Sequence, residues 1–185
     1  MADSNKTKKA LAKSMKALIQ EKPFEKISIS DICERCFLNR KSFYYHFKDK
    51  YDLVNWIFNT EFSEVAYGKT YTDPMVVLND ICEYFYSNKD FYRKALSIQG
   101  QNCFSDHFRE LILFFITIIF KEYLKVEEVS KFQKDFISDA LVMAFQRWIL
   151  DYPEMKPAAF LEEITLCTKY MADNYNSNPK LEADK

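Results

Sequence analysis

Glycine is almost missing from this chain: its 185 residues include two, Gly68 and Gly100. No stretch alternates apolar and polar residues at strand length. Both shortages argue against a sheet and for an all-α protein. Histidine is equally scarce, with only His46 and His107. His107 follows Cys103 by four residues and precedes Glu110 by three, so the three fall on one helical face. A nucleophile with its base is conceivable there, but a packed histidine near a carboxylate is the commoner case. We therefore expect no enzyme and no catalytic residue.

Long apolar runs are lacking too. The longest, Leu111 to Phe120, is closed by Glu110 and by Lys121-Glu122. Ten residues cannot span a bilayer that needs about 20, so the run predicts a buried helix. Lys13 and Lys16 interrupt what a secretory signal would need as its apolar centre. A cytoplasmic protein without membrane contact is the expectation. Five cysteines, an odd and scattered number, fit free thiols in a reducing compartment. Cys33-Glu34-Arg35-Cys36 has no second pair to complete a zinc site and no βαβ setting for redox work. Its thiols suit packing as small hydrophobes, and neither a metal nor a cofactor is expected.

What is present is an uneven distribution of charge. The formal net charge is −1, but residues 1–50 carry 12 Lys+Arg against 6 Asp+Glu while residues 51–185 carry 14 against 21. A head of +6 on a body of −7 is the footprint of a nucleic-acid module joined to something else. Chance clustering of lysines on the first helix would give the same totals.

The stretch 28–50 gives that head its pattern. Ser28 and Asp31 form a capping box, and Ile29, Ile32, Cys33 and Cys36 give the short helix after it one apolar side. Asn39 is a good cap for a second helix. On it Phe43 and Phe47 share one side, Lys41, Ser42 and Tyr45 point away, and Arg40 and Tyr44 lie between. Arg40 and Lys41 occupy the first turn, where the helix dipole disfavours cations and a docked polyanion would favour them. Two surface cations on a solvated helix end would be the plainer account, but it leaves Tyr44 and Tyr45 on the same sector unexplained.

This stretch resembles the DNA-binding signature of the tetracycline-repressor (TetR) family: a capped short helix, a turn, a polar and basic start, then Phe43-Tyr44-Tyr45-His46-Phe47 and Lys48-Asp49-Lys50. The family usually has glycine in the turn, where this chain has Phe37, which implies a different turn geometry or strain. The resemblance implies a helix-turn-helix whose second helix enters the major groove of double-stranded DNA. Lys41, Ser42 and Tyr45 would reach base edges behind the Asn39 cap, and Arg40 a base or a phosphate. Ser28, Ser30, Tyr44, His46, Lys48 and Lys50 would border backbone phosphates.

Further along, helices are expected over residues 4–21, from Asp49 to a stop at Gly68, from Thr72-Asp73-Pro74 to about Ser87, over 88–96, 102–125, 129–151 and 157–175, with a polar tail after Asn176. This makes nine helices, three in a head (1–50) and six in a regulatory and dimerisation body (51–176), followed by the tail (177–185). Leu53, Ile57, Phe58, Phe62 and Val65 form the buried stripe of the helix linking head to body.

The resemblance implies a body that binds a small-molecule effector and forms homodimers. Trp56, Tyr84, Phe85, Phe91, Tyr92, His107, Phe108 and Phe115 are candidate ligand walls, although any core in so aromatic a chain would contain such residues. In the family the last two helices pair with those of a partner. Phe136, Met143, Phe145, Trp148, Phe160, Ile164, Cys167 and Met171 are candidate dimer contacts, with a crowded monomer core as the alternative. Gln146-Arg147-Trp148-Ile149 also resembles a subgroup shared with activators of dihydroxyacetone utilisation genes. The expected function is a ligand-responsive transcriptional regulator acting as a homodimer on a pseudo-palindromic operator. The alternatives are a helical protein-interaction scaffold and a ligand-indifferent DNA binder.

Overall fold

The computed structural model describes residues 2–66, 69, 73–98, 103–123, 125 and 128–176, with the side chains at 2, 3, 65, 66, 122, 123 and 171–176 outside the description. Among the described residues there are nine α-helices and no strand: α1 (Ala2–Glu21), α2 (Ile29–Arg35), α3 (Arg40–His46), α4 (Lys50–Ala66), α5 (Pro74–Ser87), α6 (Lys89–Leu96), α7 (Phe104–Ile118), α8 (Lys131–Asp151) and α9 (Pro157–Asn176). A 3-10 turn at Phe24–Lys26 joins α1 to α2. The expected helix stop at Gly68, the roles of Thr72 and Asn102, the packing of Val65 and the tail 177–185 fall outside the described residues or side chains.

Local chemistry sets most helix ends. Asp73 accepts from the Met75 N–H, and Pro74, which has no N–H to satisfy, opens α5. Ser130 and Gln133 form a capping box at α8, a contact typically worth about 1 kcal/mol. The helix expected over 102–125 is shorter: α7 stops at Ile118 and continues as a single π-helical segment, Ile119–Tyr123. β-Branched residues crowd its last turn at Ile116, Thr117, Ile118 and Ile119, which weakens regular α-helix there.

α1 packs on α2 and α3 within the head and also on α4 and α6. Its Leu11, Met15 and Ile19 are fully buried, as are Ile32, Phe43 and Leu53. One apolar core therefore continues from head to body. At its centre Phe58 of α4 lies 5.3–6.1 Å, between ring centroids, from Phe62, Tyr84, Phe85, Tyr92, Phe104 and Phe108. The aromatic contacts run on through Phe145 to Phe160, whose ring stacks on Trp148 at 4.3 Å.

These contacts correct two expectations. Tyr84, Phe85, Phe91, Tyr92 and Phe108 are buried against one another and against neighbouring rings, so they form filled core rather than walls of a cavity. Trp56 lies away from them at the head, with its ring edge on Phe47 and Lys8 above it. Of the candidate dimer contacts, Phe145, Trp148 and Phe160 are buried within the subunit and cannot also face a partner. Phe136 and Met143 are exposed, together with Phe132; Cys167 is exposed and Ile164 half-buried on α9. The Met171 side chain lies outside the description. Substituting Phe85 by Ala should cost about 3–5 kcal/mol, because a wholly buried ring surrounded by others leaves a cavity that cannot collapse. Urea denaturation of the purified protein measures this directly.

Candidate nucleic-acid interface

The site is built from two seven-residue helices, each set by its own cap. The Ser28 hydroxyl accepts from the Asp31 N–H (3.1 Å) and donates to the Asp31 carboxylate (2.8 Å), which also accepts the Ser28 N–H (2.7 Å). Lys22 adds an ion pair to Asp31 at 2.8 Å. The Lys22 ammonium and then the Ser28 donors hold the Asp31 carboxyl down at about 2. With both of its roles used in the cap, the Ser28 hydroxyl first serves the fold; Ser30 is half-buried beside it.

α2 ends in a left-handed turn. Phe37 N–H donates to Glu34 O (3.2 Å) and Leu38 N–H to Cys33 O (2.9 Å), the paired bonds of a Schellman motif. Such a turn needs positive φ after the cap, and Phe37 takes it at φ 57°. A β-carbon in that region costs roughly 1–2 kcal/mol. The turn thus keeps the left-handed geometry that glycine adopts easily. Leu38 tucks against the core while the Phe37 ring is 97% exposed.

α3 starts at Asn39, whose Oδ1 accepts from the Ser42 N–H (2.8 Å) and hydroxyl (3.1 Å). Phe43 and Phe47 anchor it inward, 0% and 3% exposed. Lys41 and Arg40 are exposed, and Tyr45 is 82% and Tyr44 51% exposed. The Arg40 guanidinium lies 5.9 Å from the Tyr44 ring centre, and it reaches the Tyr44 hydroxyl at 3.5 Å. His46 is half-buried with its ring 4.9 Å from that of Tyr45. Lys48 is exposed, and its N–H donates to Asp52 at 3.0 Å. α3 therefore presents two cations from its first turn and two phenols from its second on one outward sector.

Lys50 is the correction at this site. Its ammonium donates to the carbonyls of Phe24 (2.7 Å), Ile27 (3.0 Å) and Glu25 (3.3 Å) and sits 4.3 Å from the Phe24 ring centre. A lysine has three donors, and all three are spent on the turn between α1 and α2. Burial draws its pKa below the usual lysine value. Lys50 is thus a tie inside the head rather than a free phosphate contact. Sequence gave no warning, because the carbonyls lie 23 to 26 residues away.

Elsewhere, the Cys36 thiol donates to Ile32 O and Cys33 O. Cys33 is buried and Cys36 half-buried against the core, and burial pushes the Cys33 thiol above its usual pKa. His107 bonds to Asn59 at 2.8 Å, and burial keeps its pKa below the ordinary histidine value. Among the described residues no group of three or more His, Cys, Asp or Glu is placed to hold a metal ion, and no helix is long and apolar enough to cross a membrane. A groove of about 250 Å³ that sequence reasoning missed opens between α5, α7 and α8, lined by Leu78, Ile81, Ile112, Phe115, Ile116 and Leu141 among others. Phe115 is the one member of the expected ligand set that lines it. Its trace in the sequence was the apolar run from Leu111 to Phe120, which supplies Ile112, Phe115 and Ile116 to the lining.

Residues 13–57 match the family described as bacterial regulatory proteins, tetR family, and residues 72–170 match a TetR transcriptional regulator C-terminal region. The chain belongs to the TetR family of bacterial regulatory proteins. It is 32% identical over 93 residues to the HTH-type dhaKLM operon transcriptional activator DhaS of Lactococcus lactis subsp. lactis, a match covering 50% of each chain, so the chain spans half the length of that relative. Among solved structures it resembles the dihydroxyacetone kinase operon activator DhaS (TM-score 0.63, 24% identity, 89% of this chain and 95% of that one). It also resembles NalD of Pseudomonas aeruginosa, the secondary repressor of the MexAB-OprM multidrug efflux pump (0.55, 20%, 89% and 96%). FadR of Thermus thermophilus, solved with lauroyl-CoA, is similar as well (0.52, 16%, 84% and 90%). At these identities the structures speak to the fold.

The cap at Asp31 makes a testable point about pH. A carboxyl held near 2 against an ordinary 3.8 stabilises the folded head above the ordinary value and loses that effect as pH falls toward 2. Asp31→Asn should therefore melt below wild type at pH 6, and the gap should close as the pH is lowered through that window. Thermal melts followed by circular dichroism check it.

Proposed function

We propose that the protein is a DNA-binding transcriptional regulator that acts as a homodimer, with α3 in the major groove of a pseudo-palindromic duplex. The observation that carries this reading is the outward sector of α3, where Lys41, Tyr45, Tyr44 and Arg40 lie free of the core on a helix anchored by Phe43 and Phe47, in a chain of the TetR family. Lys41 and Tyr45 reach base edges. Ser42, whose hydroxyl donates to Asn39, can still accept from a base amino group and donates to a base only by exchanging that bond. Arg40, Tyr44, His46 and Lys48 border phosphates. No enzymatic step is assigned, and a cytoplasmic location goes with this role.

The dimer is supported by the exposed rings of Phe132 and Phe136, stacked 6.5 Å apart one helical turn from each other on α8, with Met143 further along the helix. Effector binding is supported by the apolar groove between α5, α7 and α8, which suits an uncharged hydrophobic molecule. FadR, a structural relative, was solved with lauroyl-CoA. A ligand in that groove acts on DNA binding only if it prefers one position of α4, the helix shared with the head.

Selection of duplexes from a randomised pool, followed by fluorescence anisotropy, tests the DNA reading. Lys41→Ala should narrow the ratio of specific to random binding about tenfold, the worth of a good base contact. Lys48→Ala should weaken all sequences alike and reduce the salt slope by about one. Wild-type behaviour in both variants would refute it. For the dimer, Phe132→Asp with Phe136→Asp should give a folded monomer by size-exclusion with light scattering; a dimer of undiminished stability would move the interface elsewhere.

A further inference from the structure

The ring of Phe37 is 97% exposed and stacks on no other ring of the described residues, although its backbone is held in the left-handed region at φ 57°. Glycine takes that conformation freely, and any residue with a β-carbon takes it at a steric cost. The cost is not recovered inside the subunit: the neighbouring Leu38 makes the apolar contact that closes the turn, while Phe37 points to solvent. A strained residue kept at such a position calls for a role outside the folded chain.

Its position says what that role is. Phe37 stands two residues ahead of the Asn39 cap, on the turn that delivers α3 to its target. Exposed Arg40 and Lys41 follow at once, so a partner there must accept cations beside an apolar ring. A DNA duplex does so, with phosphates for the cations and thymine methyls and deoxyribose carbons for the ring. A hydrophobic protein partner would leave those cations without counter-charges.

We propose that Phe37 is a DNA-contacting residue whose ring packs against an apolar group of the duplex, a thymine 5-methyl or a deoxyribose, at the edge of the surface read by α3. The proposal rests on the DNA-binding reading above. Phe37 would add affinity by contact and carry no charge. Its loss should thus weaken binding without changing the number of counterions released.

The test uses the full chain and a labelled duplex recovered from a randomised pool by the wild-type protein. Phe37→Gly and Phe37→Asn both suit the left-handed turn and keep the tilt of α3. Both should bind about five- to tenfold more weakly, as expected for loss of one good apolar base contact, with an unchanged salt slope and a melting temperature no lower than wild type. Phe37→Tyr, which keeps the ring, should bind within about twofold. Deoxyuridine replacing each thymine in turn identifies the group touched. Sensitivity at one position, present in wild type and absent in Phe37→Gly, marks a methyl; no sensitivity, with the Phe37→Gly loss intact, marks a deoxyribose. Binding of either the Gly or the Asn variant as tight as wild type overturns the proposal and leaves the DNA-binding reading standing, as does a loss accompanied by a lower melting temperature or a shallower salt slope. A wild-type protein that selects no duplex at all overturns both.

Discussion

The ring of Phe58 is the contact on which the rest of the structure depends. It is fully buried on α4 and meets rings from α5, α6 and α7 at once. One turn earlier on the same helix, Leu53 and Val54 are buried in the same core as Phe43 and Phe47 of the head, and Trp56 meets the Phe47 ring at 5.7 Å. A single helix therefore belongs to two packing units. A ring enclosed by rings has few alternative positions, because aromatic contacts at native density leave no room to slide. α4 can move only if the body repacks around it, and the head must follow.

A polar seam runs beside the aromatic one. Lys16 of α1 reaches both carboxylate oxygens of Glu61 at 2.9 Å, Tyr84 donates to the same carboxylate at 2.9 Å, and the Tyr84 and Tyr92 hydroxyls lie 2.7 Å apart. Burial raises the pKa of both phenols well above the ordinary tyrosine value, so they stay neutral and act as directional hydrogen-bonding groups. Four helices contribute to this one network. Its members satisfy one another, and removing one would strand buried polar atoms. A second tie, Lys94 of α6 donating to the Gln20 carbonyl at 3.0 Å, holds the end of α1. The head is thus fixed to the body by apolar packing that resists separation and by hydrogen bonds that specify orientation. The core passes through residue 50 without a break.

The inner face of the reading unit was legible because local rules govern it. Capping boxes depend on residues three apart, and Phe43 and Phe47 are one turn apart, so spacing alone decided which side faced inward. Lys50 was misjudged for the opposite reason. Its partners are carbonyls of a turn more than 20 residues earlier, and a lysine bonded to main-chain oxygens looks in sequence like any other lysine at a helix start. The expected dimer face failed in part on the same ground. Phe136 and Phe145 are both aromatic residues of one helix, and which of them meets α7 and α9 is a matter of how the helices are rotated.

By itself the sequence determined the helices, most of their caps and the outward sector of α3, since each follows from residues within a turn or two of one another. It also determined that the body would be densely aromatic. Only the tertiary structure decided that these aromatics fill the core, that the open groove lies instead between α5, α7 and α8, and that Lys50 is consumed inside the head. It also decided that Phe37 holds a glycine-like turn with its ring in solvent. The physical reason is common to the first three. Burial is a property of which surfaces meet, and residues 20 to 100 positions apart meet only once the whole chain has packed.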